Sequence, residues 1–137
     1  MIGIVIATHG QLGEVFIETA ELIFGSRPDA MIAVSVNLKE DADRLRNKIA
    51  KGIKAVNRKE GVLVFTDMFG GTPSNISYSF LDEGRVEVLS GVNLPMLLKA
   101  LDKRSRMDIG ELSLCLEEFG RQSISLASAI LKGKTKN

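Results

Sequence analysis

The chain begins with an apolar run, Ile2 to Ala7, that does not alternate with polar positions. Such a run is typical of a parallel strand buried on both faces, and the segment from Leu12 to Phe24 has the apolar spacing of a helix. At the end of the strand lies His9, the single histidine of the chain, followed by Gly10. This order places His9 at the carboxyl edge of a sheet, where open α/β sheets bind ligands and where helix N-termini attract anions. A titratable nucleophile beside an anion site indicates phosphate chemistry.

Strand and helix patterns alternate along the rest of the chain. Further strands are predicted at Ala30 to Val36, Val62 to Thr66 and Val86 to Leu89. Further helices are predicted at residues 39–57, from Pro73 with Thr72 as cap, after Asn93 as cap with Pro95 in the first turn, and from Ile109 with Asp108 as cap. This alternation predicts an α/β fold with a doubly wound, mostly parallel sheet that has helices on both faces. After Gly120 the pattern fits either a helix or a strand. We expect one domain over residues 1–131 and a polar, basic tail over residues 132–137.

The composition disfavours several classes of protein. At 137 residues, with 45% hydrophobic and 26% charged residues, the chain fits one soluble globular domain, and its net charge of +1 points to no particular partner. One cysteine excludes an internal disulfide, and with a single histidine a zinc site is disfavoured. No apolar stretch reaches the ~20 residues that span a bilayer, and no signal peptide pattern precedes the first strand. We therefore expect a cytoplasmic protein that needs no metal and no cofactor.

Nucleic-acid binding is disfavoured as well. The chain has one tyrosine and no tryptophan, so it offers little for stacking on bases. Basic residues cluster along the helix predicted at residues 39–57, but acidic residues are interspersed with them. This mixture is typical of a solvated helix face.

Three loops follow predicted strands at the same edge of the sheet: Thr8 to Gly10, Asp67 to Pro73, and Ser90 to Asn93. If the first and third strands are neighbours, His9 and Asp67 face each other where the strand order reverses. A carboxylate beside one imidazole nitrogen fixes the tautomer, stabilises positive charge on the ring, and leaves the other nitrogen free to attack.

Small residues around these two provide candidate phosphate ligands, through backbone N–H groups and hydroxyls: Gly10, Gly70, Gly71, Thr72 and Ser74. Each feature alone has an ordinary structural interpretation, as a polar strand end, a turn or a helix start. Their convergence at one edge of one sheet is what predicts a site.

Three segments carry a family resemblance: IVIATHG, GVLVFTDMFGGTPSN and GVNLPMLLKAL. In this order and separation they resemble the mannose-type IIA component of the bacterial phosphoenolpyruvate-dependent sugar phosphotransferase system, over nearly all of residues 2–120. The resemblance implies a flavodoxin-like sheet of about five strands in the order 2-1-3-4-5, with the last strand antiparallel, and it implies a homodimer.

The resemblance also implies a function. Family members accept a phosphoryl group from the histidine-containing phosphocarrier protein on a histidine that matches His9, and pass it to a IIB component for sugar uptake and phosphorylation. Their orienting aspartate matches Asp67. Contact with the membrane is implied only indirectly, through a permease complex, and we expect the IIB partner to be a separate protein because this sequence ends at Asn137.

Other functions are weighed against this one. A stand-alone regulator, in which the phosphorylation state of His9 signals phosphotransfer flux without sugar transport, fits the same residues and stays open. A response-regulator receiver needs an acidic cluster after the first strand, where this chain has Thr8 to Gly10. A flavin-binding protein needs a Ser/Thr-rich phosphate loop at that place, and aromatic residues to enclose the flavin. We reject these last two.

Overall fold

The computed structural model of the protein describes residues 1–133. Its sheet has the order β2-β1-β3-β4, and each neighbouring pair of strands is parallel. The strands are β1 (Gly3–His9), β2 (Met31–Val36), β3 (Val62–Thr66) and β4 (Val86–Ser90). The helices are α1 (Leu12–Phe24), α2 (Ala42–Val56), α3 (Thr72–Ser77), α4 (Leu94–Lys103), α5 (Ile109–Gln122) and α6 (Ala127–Gly133), with a 3₁₀ turn (Tyr78–Phe80) directly after α3.

A hydrophobic core lies on each face of the sheet. Both cores contain side chains of all four strands; helices α1, α4 and α5 cover the first, and helices α2 and α3 cover the second. Along β1, Ile4 and Ile6 belong to the first core, while Val5 and Ala7 belong to the second. This explains why the opening run is apolar at every position, and it confirms the predicted α/β fold with helices on both faces.

The helix starts depend on side-chain caps. Asp41, Asn93 and Asp108 each accept a hydrogen bond from a backbone N–H in the first turn of α2, α4 and α5. The caps predicted at Asn93 and Asp108 are therefore confirmed, and Asp41 starts α2 at Ala42 rather than at residue 39. The cap predicted at Thr72 is wrong, because Thr72 is already the first residue of α3 and its N-cap is Gly71, which has no side chain to bond with.

The C-terminal region is helical where it is described. Four strands are present in residues 1–133, and the expected fifth, antiparallel strand is not among them. After Gly120 the chain completes α5 and then forms α6. Lys132 and Gly133, the first residues of the predicted tail, lie in α6, and residues 134–137 lie outside the described part of the chain. Within residues 1–133, none of the helices is both long and apolar enough to cross a membrane.

One buried arginine closes the amino edge of the sheet. Arg104 follows α4, is 5% exposed, and donates hydrogen bonds from its guanidinium group to the backbone carbonyls of Ile2, Asp29 and Ala30. Burial lowers the pKa of this guanidinium, but an arginine keeps its charge in proteins. The charge is thus solvated by main-chain oxygens where β1 and β2 begin.

Candidate functional site

His9 and Asp67 meet at the carboxyl edge of the sheet, between the adjacent strands β1 and β3. Ala7 pairs with Thr66 in the parallel register, so His9 ends β1 just past that pair and Asp67 directly follows β3. The His9 Nδ1 atom lies 2.8 Å from Asp67 Oδ2, and the His9 backbone N–H donates to the same oxygen at 3.0 Å. The contact predicted on the condition that these strands are neighbours is therefore present.

The carboxylate of Asp67 determines which ring nitrogen can react. Burial raises the pKa of this carboxyl, since its side chain is only 12% exposed, but the hydrogen bonds from His9 outweigh burial and hold the pKa below its ordinary value. Asp67 is consequently ionised near neutral pH and can only accept hydrogen bonds. In the neutral ring of His9, Nδ1 then carries the proton that Asp67 accepts. The lone pair is left on Nε2, in a side chain that is 37% exposed.

The hydrogen bonds from His9 to the carboxylate of Asp67 both go to one of its two oxygens. Asp67 Oδ1 is buried and has no hydrogen-bond partner within residues 1–133. The side-chain negative charge is therefore compensated by His9, through the backbone and ring contacts made to Oδ2.

The turn that carries His9 is fixed from two sides. Thr8 Oγ1 accepts a hydrogen bond from the N–H of Gly13 at 2.8 Å, a role that the N-cap residue of α1, Gln11, does not fill. On the other side, the Ser35 hydroxyl of β2 donates to the Gly10 carbonyl at 2.6 Å. The sequence analysis predicts neither supporting role. That of Ser35 depends on the pairing of β1 with β2, and that of Thr8 on the path of the turn between β1 and α1.

The loop from Asp67 to Pro73, here called the glycine loop, approaches the His9 ring closely at Gly71. A Cβ atom at Gly71 would lie 3.0 Å from His9 Cε1 and 3.7 Å from Nε2, so a side chain there would require the ring to give by a few tenths of an ångström. The loop is held by the helix that follows it. Ser74 donates from its hydroxyl to the Gly71 carbonyl at 2.9 Å, and Asn75 donates from Nδ2 to the Gly70 carbonyl at 3.4 Å.

The predicted phosphate ligands occupy different environments. Gly71 adjoins the ring, Gly70 is exposed, and Thr72 is half-buried at the first position of α3. The N–H of Gly10 donates to the Val36 carbonyl at 3.3 Å, and the hydroxyl of the buried Ser74 has its partner in the loop. Gly71 is thus the one of the five that the structure places beside the His9 ring, and phosphate binding by each of the five stays a prediction.

The third predicted loop supports the site from β4. The backbone N–H groups of Gly91 and Val92 both donate to the carbonyl of Thr66, the residue before Asp67. The Asn93 side chain caps α4 and donates from Nδ2 to the Gly120 carbonyl. Within residues 1–133, no group of three or more His, Cys, Asp or Glu side chains is arranged to hold a metal ion.

Comparisons with known proteins place this geometry in a family. The family model described as "PTS system fructose IIA component" (EIIA-man) matches residues 3–114. The fructose-specific EIIA component of the PTS system of Bacillus subtilis is 34% identical, over 100% of this chain and 94% of that protein. The mannose-specific EIIAB component of Escherichia coli K12 is 33% identical over 93% of this chain, which spans 40% of that longer protein.

The fold leads to the same family. The crystal structure of phosphotransferase system component EIIA from Streptococcus agalactiae has a TM-score of 0.83 and 26% identity, and the match covers 94% of this chain and 99% of that one. The chain therefore belongs to the mannose-type EIIA family, the phosphotransfer components of the sugar phosphotransferase system.

Proposed function

We propose that His9 accepts a phosphoryl group on Nε2 from the histidine-containing phosphocarrier protein, and passes it to a separate IIB component for sugar uptake and phosphorylation. One observation carries this proposal. The 2.8 Å contact between His9 Nδ1 and the buried carboxylate of Asp67 leaves Nε2 as the free nitrogen of a partly exposed ring. An exposed nucleophile is what a carrier needs, because two different proteins must reach it in turn.

The transfer is an in-line exchange between two imidazoles. The Nε2 lone pair of neutral His9 attacks the phosphorus of the donor's phosphohistidine, the new P–N bond forms, and the P–N bond to the donor ring breaks. The donor imidazole leaves with that bonding pair. His9, with its proton on Nδ1, acquires positive charge that the Asp67 carboxylate stabilises. No net proton transfer is required at Asp67.

The phosphoryl oxygens need hydrogen-bond donors beside Nε2. In our proposal these donors are backbone N–H groups of the glycine loop, which passes close to the ring at Gly71, and the hydroxyl of Thr72, the first residue of α3. Preorganised amides of this kind stabilise charge that develops in the transition state, in the manner of an oxyanion hole. In this mechanism Gly71 and Thr72 hold the phosphoryl group, while Asp67 acts only on the ring.

The proposal also covers the cellular location and the oligomeric state of the protein. A phosphoryl donor and a IIB acceptor of the sugar phosphotransferase system act in the cytoplasm, so we place this protein there. We also propose a homodimer, which follows from the family resemblance. Membership of the EIIA family and the similarity to a sorbose-specific EIIA component of Lacticaseibacillus casei, 30% identical over 80% of this chain, support a role in sugar phosphotransfer.

Reconstituted phosphorylation tests the proposal. The protein is incubated with phosphoenolpyruvate, the general phosphotransfer enzyme and the small phosphocarrier protein, and is then analysed by intact-mass and peptide mass spectrometry. We expect a gain of one phosphoryl group, labile in acid and located on His9, and no gain in a folded His9→Ala variant. Addition of a IIB component should then discharge the wild-type protein.

The contrary result is equally clear. A phosphoryl group retained by folded His9→Ala would remove His9 from the reaction. A phosphorylated protein that no IIB component discharges would favour the regulatory alternative.

A further inference from the structure

Three hydroxyl groups form a cluster where β3 and β4 end, beginning at the residue before Asp67. The Thr66 hydroxyl donates to Ser90 Oγ at 2.7 Å, across the register pair that joins the ends of β3 and β4. The Tyr78 hydroxyl lies 3.2 Å from the same Ser90 oxygen, and either of these two groups can be the donor. Thr66 is fully buried, and Ser90 and Tyr78 are half-buried. The cluster thus connects the 3₁₀ turn after α3 to the residue that precedes Asp67.

The ring of Tyr78 contacts the glycine loop at a second point. Its centroid lies 6.1 Å from that of Phe69, with the two planes tilted by 45°. This separation and tilt lie within the range of favourable aromatic pairs. Phe69 is two residues after Asp67 and is 78% exposed, and the Tyr78 ring is an aromatic neighbour on its covered side.

We propose that Tyr78 is a positioning residue for phosphoryl transfer, because it contacts the chain before Asp67, at Thr66 through Ser90, and the glycine loop after Asp67, at Phe69. Its hydroxyl acts through Ser90 on Thr66, and its ring acts on Phe69. Tyr78 therefore acts on His9 through the loop and does not take part in the chemistry. Loss of these contacts would let the Asp67 carboxylate move relative to the His9 ring. Small displacements of a catalytic group lower the reaction rate strongly.

The single histidine of the chain allows a direct test by NMR spectroscopy. His9 is the only histidine, so the imidazole signals in ¹⁵N and ¹H NMR spectra need no assignment. In the unphosphorylated protein, the Nδ1–H proton should resonate far downfield and exchange slowly with water, because it is bonded to Asp67 Oδ2. This measurement does not depend on the function proposed above, whereas the effect on the transfer rate does.

The variants are Tyr78→Ala, which removes both contacts, and Tyr78→Phe, which keeps the ring and removes the hydroxyl. The matched control is Phe80→Ala, since Phe80 lies in the same 3₁₀ turn but packs against the second core. We expect Tyr78→Ala to shift or broaden the Nδ1–H signal and to slow single-turnover transfer to His9 about tenfold. Tyr78→Phe should give a smaller change in the same direction, and Phe80→Ala should change neither the imidazole spectrum nor the transfer rate.

A wild-type imidazole spectrum in folded Tyr78→Ala would overturn the proposal, and so would an equal change in Phe80→Ala. If Tyr78→Ala does not fold, Ser90→Ala replaces it, because that change removes the junction between the three hydroxyls and leaves the aromatic pair. Ser90→Ala with a wild-type imidazole spectrum would then be the refuting result. Should the wild-type protein take up no phosphoryl group while the imidazole spectrum still responds to Tyr78, the proposed function fails and the positioning role stands.

Discussion

Asp67 Oδ2 accepts two hydrogen bonds from His9, one from the backbone N–H at 3.0 Å and one from the ring at 2.8 Å. The two residues are 58 positions apart in the chain. One oxygen thus fixes both the main chain at the end of β1 and the orientation of the imidazole. Two contacts to one residue restrict the ring more than a single side-chain bond would.

Replacement of Asp67 by asparagine tests the electrostatic part of this arrangement. The side-chain amide of the Asp67→Asn variant is neutral and does not stabilise positive charge on the ring, so we expect transfer to His9 to slow about a hundredfold or more. Rapid-quench measurement of transfer from the phosphorylated donor gives the rate. Asp43→Asn is the control, because Asp43 lies on the exposed face of α2. Wild-type rates in Asp67→Asn would remove Asp67 from the mechanism.

A methyl group at Gly71 tests the close approach of the loop to the ring. The backbone of Gly71, with φ −84° and ψ 169°, suits any L residue, so Gly71→Ala should fold. Its Cβ would meet His9 Cε1 at 3.0 Å and push the ring from its position, which should slow transfer about tenfold. Gly110→Ala is the matched control, since a methyl group there meets only the Asp108 carboxylate at 3.5 Å. Equal transfer rates for the two variants would contradict the steric argument.

The pairing of His9 with Asp67 predicts a specific dependence of stability on pH. The pKa of Asp67 in the folded protein lies below its ordinary 3.8, so the unfolded chain binds the proton more readily. The stabilisation is therefore complete well above pH 3.8 and is lost as the pH falls through the folded pKa. Urea unfolding of the wild type and Asp67→Asn should show a stability gap that shrinks below pH 3.8. A gap that stays constant until acid unfolding would contradict this linkage.

Arg104 allows stability to be separated from activity. Arg104→Met keeps much of the side-chain volume but leaves main-chain oxygens without their charged donor, which should cost about 2 to 3 kcal/mol of unfolding free energy. Denaturant unfolding measures the loss, and Arg106→Met, a change at an exposed position, provides the comparison. Transfer to His9 should be unchanged under native conditions, because Arg104 lies at the opposite edge of the sheet. A loss of transfer in the folded variant would show that the two edges are coupled.

The sequence predicts the parts of this fold that depend on local pattern. The non-alternating apolar run identifies β1 as buried on both faces, and Asn93 and Asp108 mark helix starts by side-chain chemistry that acts within one turn. The contact between His9 and Asp67 could be predicted only on the condition that β1 and β3 are neighbours. Strand order depends on long-range packing, so local pattern does not determine whether β1 and β3 are neighbours. The strand order that predicts this comes from the family resemblance.

The remaining features depend on neighbours that no local pattern reveals. Thr72 has a good capping side chain, yet the helix starts one residue earlier than predicted, with Gly71 as its N-cap beside the His9 ring. The support from Ser35 and Tyr78 exists only after β2 and β4 have joined the sheet. In the segment after Gly120, apolar residues fit both a strand and a helix, and among the described residues the chain forms the helix α6.

The parallel pairing of β1 with β3 also bears on how the protein becomes active. Three whole elements, α1, β2 and α2, lie between these strands in the chain, so the contact between His9 and Asp67 cannot form in any short piece of it. Contacts of such long range form late in folding, because a large loop must close before they contribute. Nascent or partly unfolded molecules would therefore lack the contact between His9 and Asp67, and the imidazole would have no carboxylate to orient it.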